Sequence, residues 1–170
     1  MSTYTLGLCE IKVGTVDSST GEMPTTLAKL GKTYKDTAKI TQNASDVTEH
    51  YEEGKAAPEI RKKAKKIPVL EFSIMDADAD VLADYVGGTA VAGTGSAPKS
   101  WHFDGDEIVA NKAIKVVTEQ GFDIDIPNGD IEATIDADLS AKGIFLVKFV
   151  VTPCATGVTG KKAFRCVPKA

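Results

Sequence analysis

Ile67-Pro-Val-Leu-Glu-Phe-Ser-Ile-Met-Asp-Ala-Asp-Ala-Asp-Val-Leu-Ala-Asp-Tyr-Val-Gly-Gly88 reads as a strand running straight into a short helix. Leu70, Phe72 and Ile74 alternate with Glu71 and Ser73, the two-residue period of a strand with one buried face. Asp76, Asp78 and Asp80 then supply capping oxygens and first-turn carboxylates, which favour the positive end of a helix. Val81, Leu82, Tyr85 and Val86 form an apolar stripe. Gly87-Gly88 ends it where a left-handed backbone is wanted. The spacing predicts a helix over about residues 77–87, the only well-signalled helix in the chain.

Outward from this unit the signals are those of strands. Tyr4–Val13 places Tyr4, Leu6 and Leu8 on one face but Cys9, Ile11 and Val13 on the other, so a bulge or two-sided burial is expected. Cys9 is expected to be a small core residue. Gly14–Lys32 is a long polar loop, a kind that is usually functional or ordered against a partner. Thr33–Gln42 alternates as a strand with one very polar face, and Val47–Tyr51 reads as a short strand. Glu52–Pro58 is a loop, and Glu59–Lys66 leads without a turn signal into the central strand. That approach carries Arg61, Lys62, Lys63, Lys65 and Lys66 and almost no apolar face. Such a segment cannot cover the domain's own core; it is expected to project as a hairpin that pairs with another subunit.

Beyond the helix, Thr89–Lys99 is a glycine-containing flexible connection, and Trp101 and Phe103 are expected in a core or an interface. A four-strand meander follows: Lys112–Glu119, Phe122–Pro127, Asp130–Leu139 and Ile144–Thr152. Its turns are Gln120-Gly121, Asn128-Gly129 and Ala141-Lys142-Gly143. The last strand is apolar on both faces and is expected to be central. The expected fold is mainly β, a β-sandwich or barrel with one short flanking helix and extended loops and arms. One domain spans residues 1–155, with a basic C-terminal arm over 156–170.

The totals exclude several classes. With 170 residues, 42% hydrophobic and 26% charged, the chain is long enough and apolar enough for a real core. A net charge of −4 argues against a general nucleic-acid binder. No apolar run reaches membrane-spanning length, roughly 18–20 residues, and Met1-Ser-Thr-Tyr-Thr has no signal-peptide pattern. Three cysteines without metal-like spacing fit reduced, intracellular synthesis. Asp76-x-Asp78-x-Asp80 resembles the start of a calcium loop, but Val81 stands where the turn needs glycine and Gly87 where the bidentate glutamate belongs. The glycines before Lys161-Lys162 lack phosphate-loop spacing, and Gly93-Thr-Gly95 is a plain connection. His50 and His102 have no partner motif for catalysis, and Asn43-Ala-Ser45 means nothing without secretion. No cofactor or metal is expected, and no enzyme.

One charge pattern stands out. Around Pro127-Asn-Gly129, the apolar residues share one face, while Asp123, Asp125, Asp130, Glu132, Asp136 and Asp138 share the other. Six carboxylates on neighbouring strands repel one another. They read either as a solvated outer face or as a surface kept non-adhesive toward a polyanion. Basic Arg61–Lys66 is the opposite patch, and complementary patches on one chain suit head-to-tail self-association.

Taken in order, the strand Ile67–Met75, the helix Asp78–Val86 with Gly87-Gly88-Thr89, the connection to Trp101, the meander with Ile126-Pro127 and the ending Phe149-Val-Val-Thr-Pro153 resemble the major tail tube protein of long-tailed bacteriophages. The likeness covers roughly residues 1–155. It implies a β-sandwich flanked by a helix, related to the type VI secretion tube protein, in hexameric rings that stack into a DNA-conducting tube. The implied partners are further copies of the chain, other tail proteins (tape measure, tail tip or baseplate, terminator) and double-stranded DNA in transit, with no membrane. The implied location is the virion tail, assembled in the host bacterial cytoplasm. On this resemblance the six carboxylates are assigned to the lumen, and Arg61, Lys62, Lys63, Lys65 and Lys66 to contacts between subunits. The Thr33–Gln42 and Arg61–Phe72 hairpin is the competing candidate for part of the inner barrel. Alternatives are a type VI secretion ring protein and a monomeric β-sandwich binding module with a concave aromatic site.

Overall fold

The computed structural model describes residues 4–169. The chain begins with β1 (Leu6–Gly14), β2 (Ala28–Lys29), β3 (Lys39–Thr41), β4 (Asp46–Tyr51), β5 (Pro58–Ala64) and β6 (Val69–Ile74). After a helical segment come β7 (Thr89–Val91), β8 (Ser100–His102), β9 (Ala110–Gln120), β10 (Phe122–Ala137), β11 (Phe145–Pro153) and β12 (Arg165–Pro168). Eight of these strands form one antiparallel sheet in the order β2-β1-β9-β10-β11-β6-β3, with β12 beside the first half of β10. The fold is mainly β with one short helix, in agreement with the sequence.

The sheet curls toward closure because one strip of chain touches both of its edges. Leu30 donates its N–H to Ile11 of β1, and a few residues later Tyr34 donates to Ser73 of β6. Inside the curl, β6 and β11 meet in register as Ile74–Val147, Phe72–Phe149 and Leu70–Val151, all six side chains buried. Phe72 and Phe149 stack with centroids 5.0 Å apart. Burying each such side chain contributes about 1.5–3 kcal/mol, which makes this pair of strands the centre of the core. The central position expected for the last meander strand holds, since β11 lies between β10 and β6.

Two bulges reconcile the apolar pattern with a single core face. In β1 the register shifts between Leu8 and Glu10, so the extra residue Cys9 lets Leu8 and Ile11, three apart, both turn inward. The expected bulge is present, and it corrects the reading of Cys9, which is exposed. In β10 the register slips between Ile126 and Gly129, which lets Ile126 and Ile131, five apart, both face the core. Asn128-Gly129 therefore makes no hairpin turn. The meander has three strands, and the two expected on either side of Pro127 are one continuous strand. The asparagine–glycine signal marks the bulge because Pro127, which has no N–H to donate, and a glycine serve a bulge as readily as a turn.

The helix is a turn of α1 (Ala79–Val81) that widens into a π-helical turn, Leu82–Val86. The Asp78 carboxylate caps Val81 N at 2.9 Å, and Gly87 N donates to Leu82 O, five residues back. Gly87 and Gly88 both adopt positive φ, as the stop signal requires. Tyr85 sets its ring edge against Phe149 at 5.5 Å, docking the helix on the sheet. Trp101 Nε1 donates to Gly87 O at 2.7 Å and is half-buried, whereas Phe103 stacks on it from the exposed side.

The Thr33–Gln42 strand is shorter than expected. Lys35-Asp36 forms a turn with Asp36 at positive φ, so only Lys39–Thr41 pairs regularly with β6. The segment set apart as a C-terminal arm contributes β12 to the main sheet. The reading of the chain's leaderless start falls partly on Met1–Thr3, outside the described residues.

Candidate assembly surfaces

The six carboxylates do alternate away from the core along β10, but the structure divides them. Asp123 is half-buried and accepts the N–H of Thr118 at 3.0 Å. Asp125 is only 7% exposed, with Lys115 Nζ at 3.5 Å. Its register partner on β12 is Arg165, which in turn pairs with Glu22, as does Lys161. The side chains of Asp123 and Asp125 thus turn to Thr118 and Lys115 of β9, on the stretch of β10 that β12 pairs with. Asp130, Glu132, Asp136 and Asp138 remain exposed. Asp138 lies past the end of β10, where it accepts the N–H of Ser140 at 2.9 Å; that bond holds its carboxyl below the usual range.

Glu22 was invisible as a functional residue in the sequence. It stands in the middle of the Gly14–Lys32 loop, 139 and 143 positions from its partners Lys161 and Arg165. The hydrogen bond from Lys161, then that from Arg165, lowers the Glu22 pKa from its ordinary value. Asp17 binds Ser19 and Thr20 through its own carboxylate, so the loop is also ordered locally. The loop expected to need a partner is ordered against its own chain's C-terminal segment.

Arg61, Lys62 and Lys63 lie on a hairpin of their own, and Lys65 and Lys66 follow it, because the strand expected to run unbroken into β6 stops at Ala64. β4 and β5 pair with each other and with no third strand. Every residue of the two strands is exposed except Glu49, which is half-buried. Arg61 pairs with Glu49 at 2.7 Å, and Lys66 pairs with Asp46. Lys62, Lys63 and Lys65 have no carboxylate partner among the described residues. Tyr51 donates to Glu49 at 2.5 Å, which lowers the glutamate's pKa and raises the tyrosine's. Val47, Tyr51 and Ile60 add exposed apolar surface.

A third feature carried no sequence signal. Where the sheet fails to close, a cleft of about 820 Å³ opens between the first half of β1 and the Thr33–Ile40 strip. Leu8, Leu70, Val116 and Ile124 lie on its apolar side. Lys29, Lys32, Lys35 and Lys39 stand around it with Asp36 and Glu119, and Tyr34 is its one aromatic side chain.

Elsewhere the candidate chemistry disperses. Asp76 caps the N–H of Lys32, Asp78 caps the helix and Asp80 pairs with Lys99, so the three aspartates point to three different partners. Among the described residues no group of three His, Cys, Asp or Glu side chains is placed to hold a metal ion. No helix is long and apolar enough to cross a membrane. His50 lies on β4, and His102 on β8 contacts the Ser100 hydroxyl at 3.0 Å. No family model matches the chain, and no curated protein matches it.

Proposed function

We propose that this chain is a structural protein whose copies assemble into rings, stacked into a tube of the kind long-tailed phages use to pass DNA. The β4–β5 hairpin carries the reading. A two-stranded hairpin with both faces in water is marginal by itself, so a long one with apolar and cationic side chains is built for a surface outside its own domain. Lys62, Lys63 and Lys65, free of intrachain partners among the described residues, and their neighbours Arg61 and Lys66 supply contacts to the next copy.

The exposed carboxylates of β10 support the same reading from the other sign of charge. Asp130, Glu132 and Asp136 keep the inner wall negative, so that DNA phosphates slide past without adhering. Asp123 and Asp125 drop out of that wall, because they are at least half-buried and turn to Thr118 and Lys115 of β9 in their own chain. A monomeric binding module would want an aromatic-lined hollow, and the cleft offers Tyr34 alone. A type VI secretion ring protein shares the architecture and differs in whether its rings stack spontaneously.

Negative-stain electron microscopy of the purified protein over a concentration series, with light scattering for mass, tests the proposal. Rings or hollow tubes of uniform diameter are expected. A particle that stays at 18.0 kDa at high concentration refutes it.

A further inference from the structure

The cleft beside β1 is unfinished in two respects. β2 covers β1 only at Lys12 and Val13, so the outer edge of β1 from Leu6 to Glu10 has no strand beside it. The apolar side chains below that edge open to solvent through a gap of about 820 Å³. A free strand edge over apolar surface is a place where another chain adds on.

The same molecule carries a protrusion of matching character. The turn joining β10 to β11 exposes Leu139, 85% accessible, together with Ile135 and Phe145 near its base. With Ile135 and Phe145, Leu139 leaves apolar surface exposed at this end of the sheet, and its side chain buries little against its own domain. The tip also carries Asp138 and Lys142, and the rim of the cleft holds Lys29, Lys32, Lys35 and Lys39 with Asp36 and Glu119. Each sign on the tip has its opposite on the rim.

We infer that the cleft receives the β10–β11 tip of a second copy, Leu139 entering beside the free edge of β1 while Asp138 meets the rim lysines. The inference rests on the self-assembly reading and supplies one of its contacts. A chain cannot fill its own cleft this way. Ile124 lies beside the cleft and Ala137 at the tip, thirteen residues apart on one strand, which is roughly 40 Å of extended backbone at ~3.3 Å per residue. Donor and acceptor at opposite ends of one strand make a heterologous contact, which can repeat from copy to copy and so can join one ring to the next.

Cys9 lies in the cleft wall and is exposed, so the contact can be trapped with a native thiol. Leu139→Cys is made with Cys154→Ser and Cys166→Ser, and the assembled protein is treated with a short bis-maleimide. A ladder of covalent oligomers that disappears on adding Cys9→Ser is the expected result. Rings or tubes without that ladder overturn the tip-in-cleft contact and leave self-assembly standing. A protein that remains monomeric overturns both. Leu139→Lys provides a second readout: it alters a fully solvated position, so folding is kept, and the concentration needed for stacked rings rises at least tenfold. An unchanged concentration overturns the inference.

Discussion

Phe149→Ala is the sharpest test of how the core is arranged. The ring is fully buried, stacked on Phe72 at 5.0 Å and met edge-on by Tyr85 at 5.5 Å. Truncating such a phenylalanine costs about 3–5 kcal/mol, because both neighbours border the void and neither strand can collapse into it. Losing two aromatic contacts places the cost toward the upper end. With a urea slope of about 2 kcal/mol/M, a loss of about 4 kcal/mol lowers the unfolding midpoint by about 2 M. Phe145→Ala is the control. It lies four residues earlier on the same face of β11 but is 39% exposed, so its midpoint should fall by well under half as much. Both variants are unfolded in urea at concentrations where light scattering gives a monomer. Equal shifts for the two, or a Phe149→Ala shift below about 0.5 M with an unchanged slope, would refute the burial gradient along β11.

Other substitutions probe the loops and surfaces. Gly88→Ala should cost at least about 2 kcal/mol, because φ is +84° and the added methyl would collide with the carbonyl of His102; thermal unfolding reads it. The Glu22 pKa is depressed when folded, so its contribution is present above the unfolded carboxylate pKa and is lost as pH falls through the lower folded value. Amide protection over 15–27 and 154–164, taken relative to the intrinsic exchange rate at each pH, should therefore fall on acidification below the ordinary glutamate range, and Glu22→Gln should show that lower protection already at neutral pH. Lys62→Glu with Lys63→Glu should leave the unfolding midpoint nearly unchanged, since both side chains are solvated and unpaired, yet abolish tubes under the microscope.

What the sequence disclosed and what it concealed follow from the range of the forces involved. The strand and helix at 67–88 were legible because alternation, capping and a glycine stop are local, and each acts within a few residues. The bulge at Cys9 was legible as a change of face. The bulge at Pro127–Gly129 was not, because the residues that permit a turn also permit a bulge, and only pairing with β9 on one side and β11 on the other decides between them. Phe145 and Phe149 look alike in sequence; their difference arises because β6 pairs with β11 from Val147 onward and stops short of Phe145. The division of the six carboxylates also depends on distant chain, since β12 lies beside Asp123 and Asp125 only. The Glu22 clasp and the cleft had no local trace at all. Leu139 was expected to end a strand, which in fact stops at Ala137 and leaves Leu139 exposed in the turn.

The opposing surface charges give assembly a salt dependence whose sign tells which contact dominates. Two unit charges about 10 Å apart in water interact by about 0.4 kcal/mol, and physiological salt, with a screening length of about 8 Å, removes most of that. In the proposed tube, repulsion among the carboxylates assigned to the inner wall, and between copies of net charge −4, is therefore a sum of small terms that salt weakens. Attraction through the lysines of β5 is a sum of similar terms that salt also weakens, with the opposite effect on assembly. Burial of Leu139 or Phe145 is worth about 1.5–3 kcal/mol each when complete, and moderate salt leaves it untouched. If apolar docking of the β10–β11 tip outweighs the attraction of Asp138 to the rim lysines, raising NaCl from low to physiological strength should lengthen tubes, because more repulsion than attraction is lost. Tubes that dissolve over the same range would place the dominant contact on the basic hairpin instead, with the tip a minor partner.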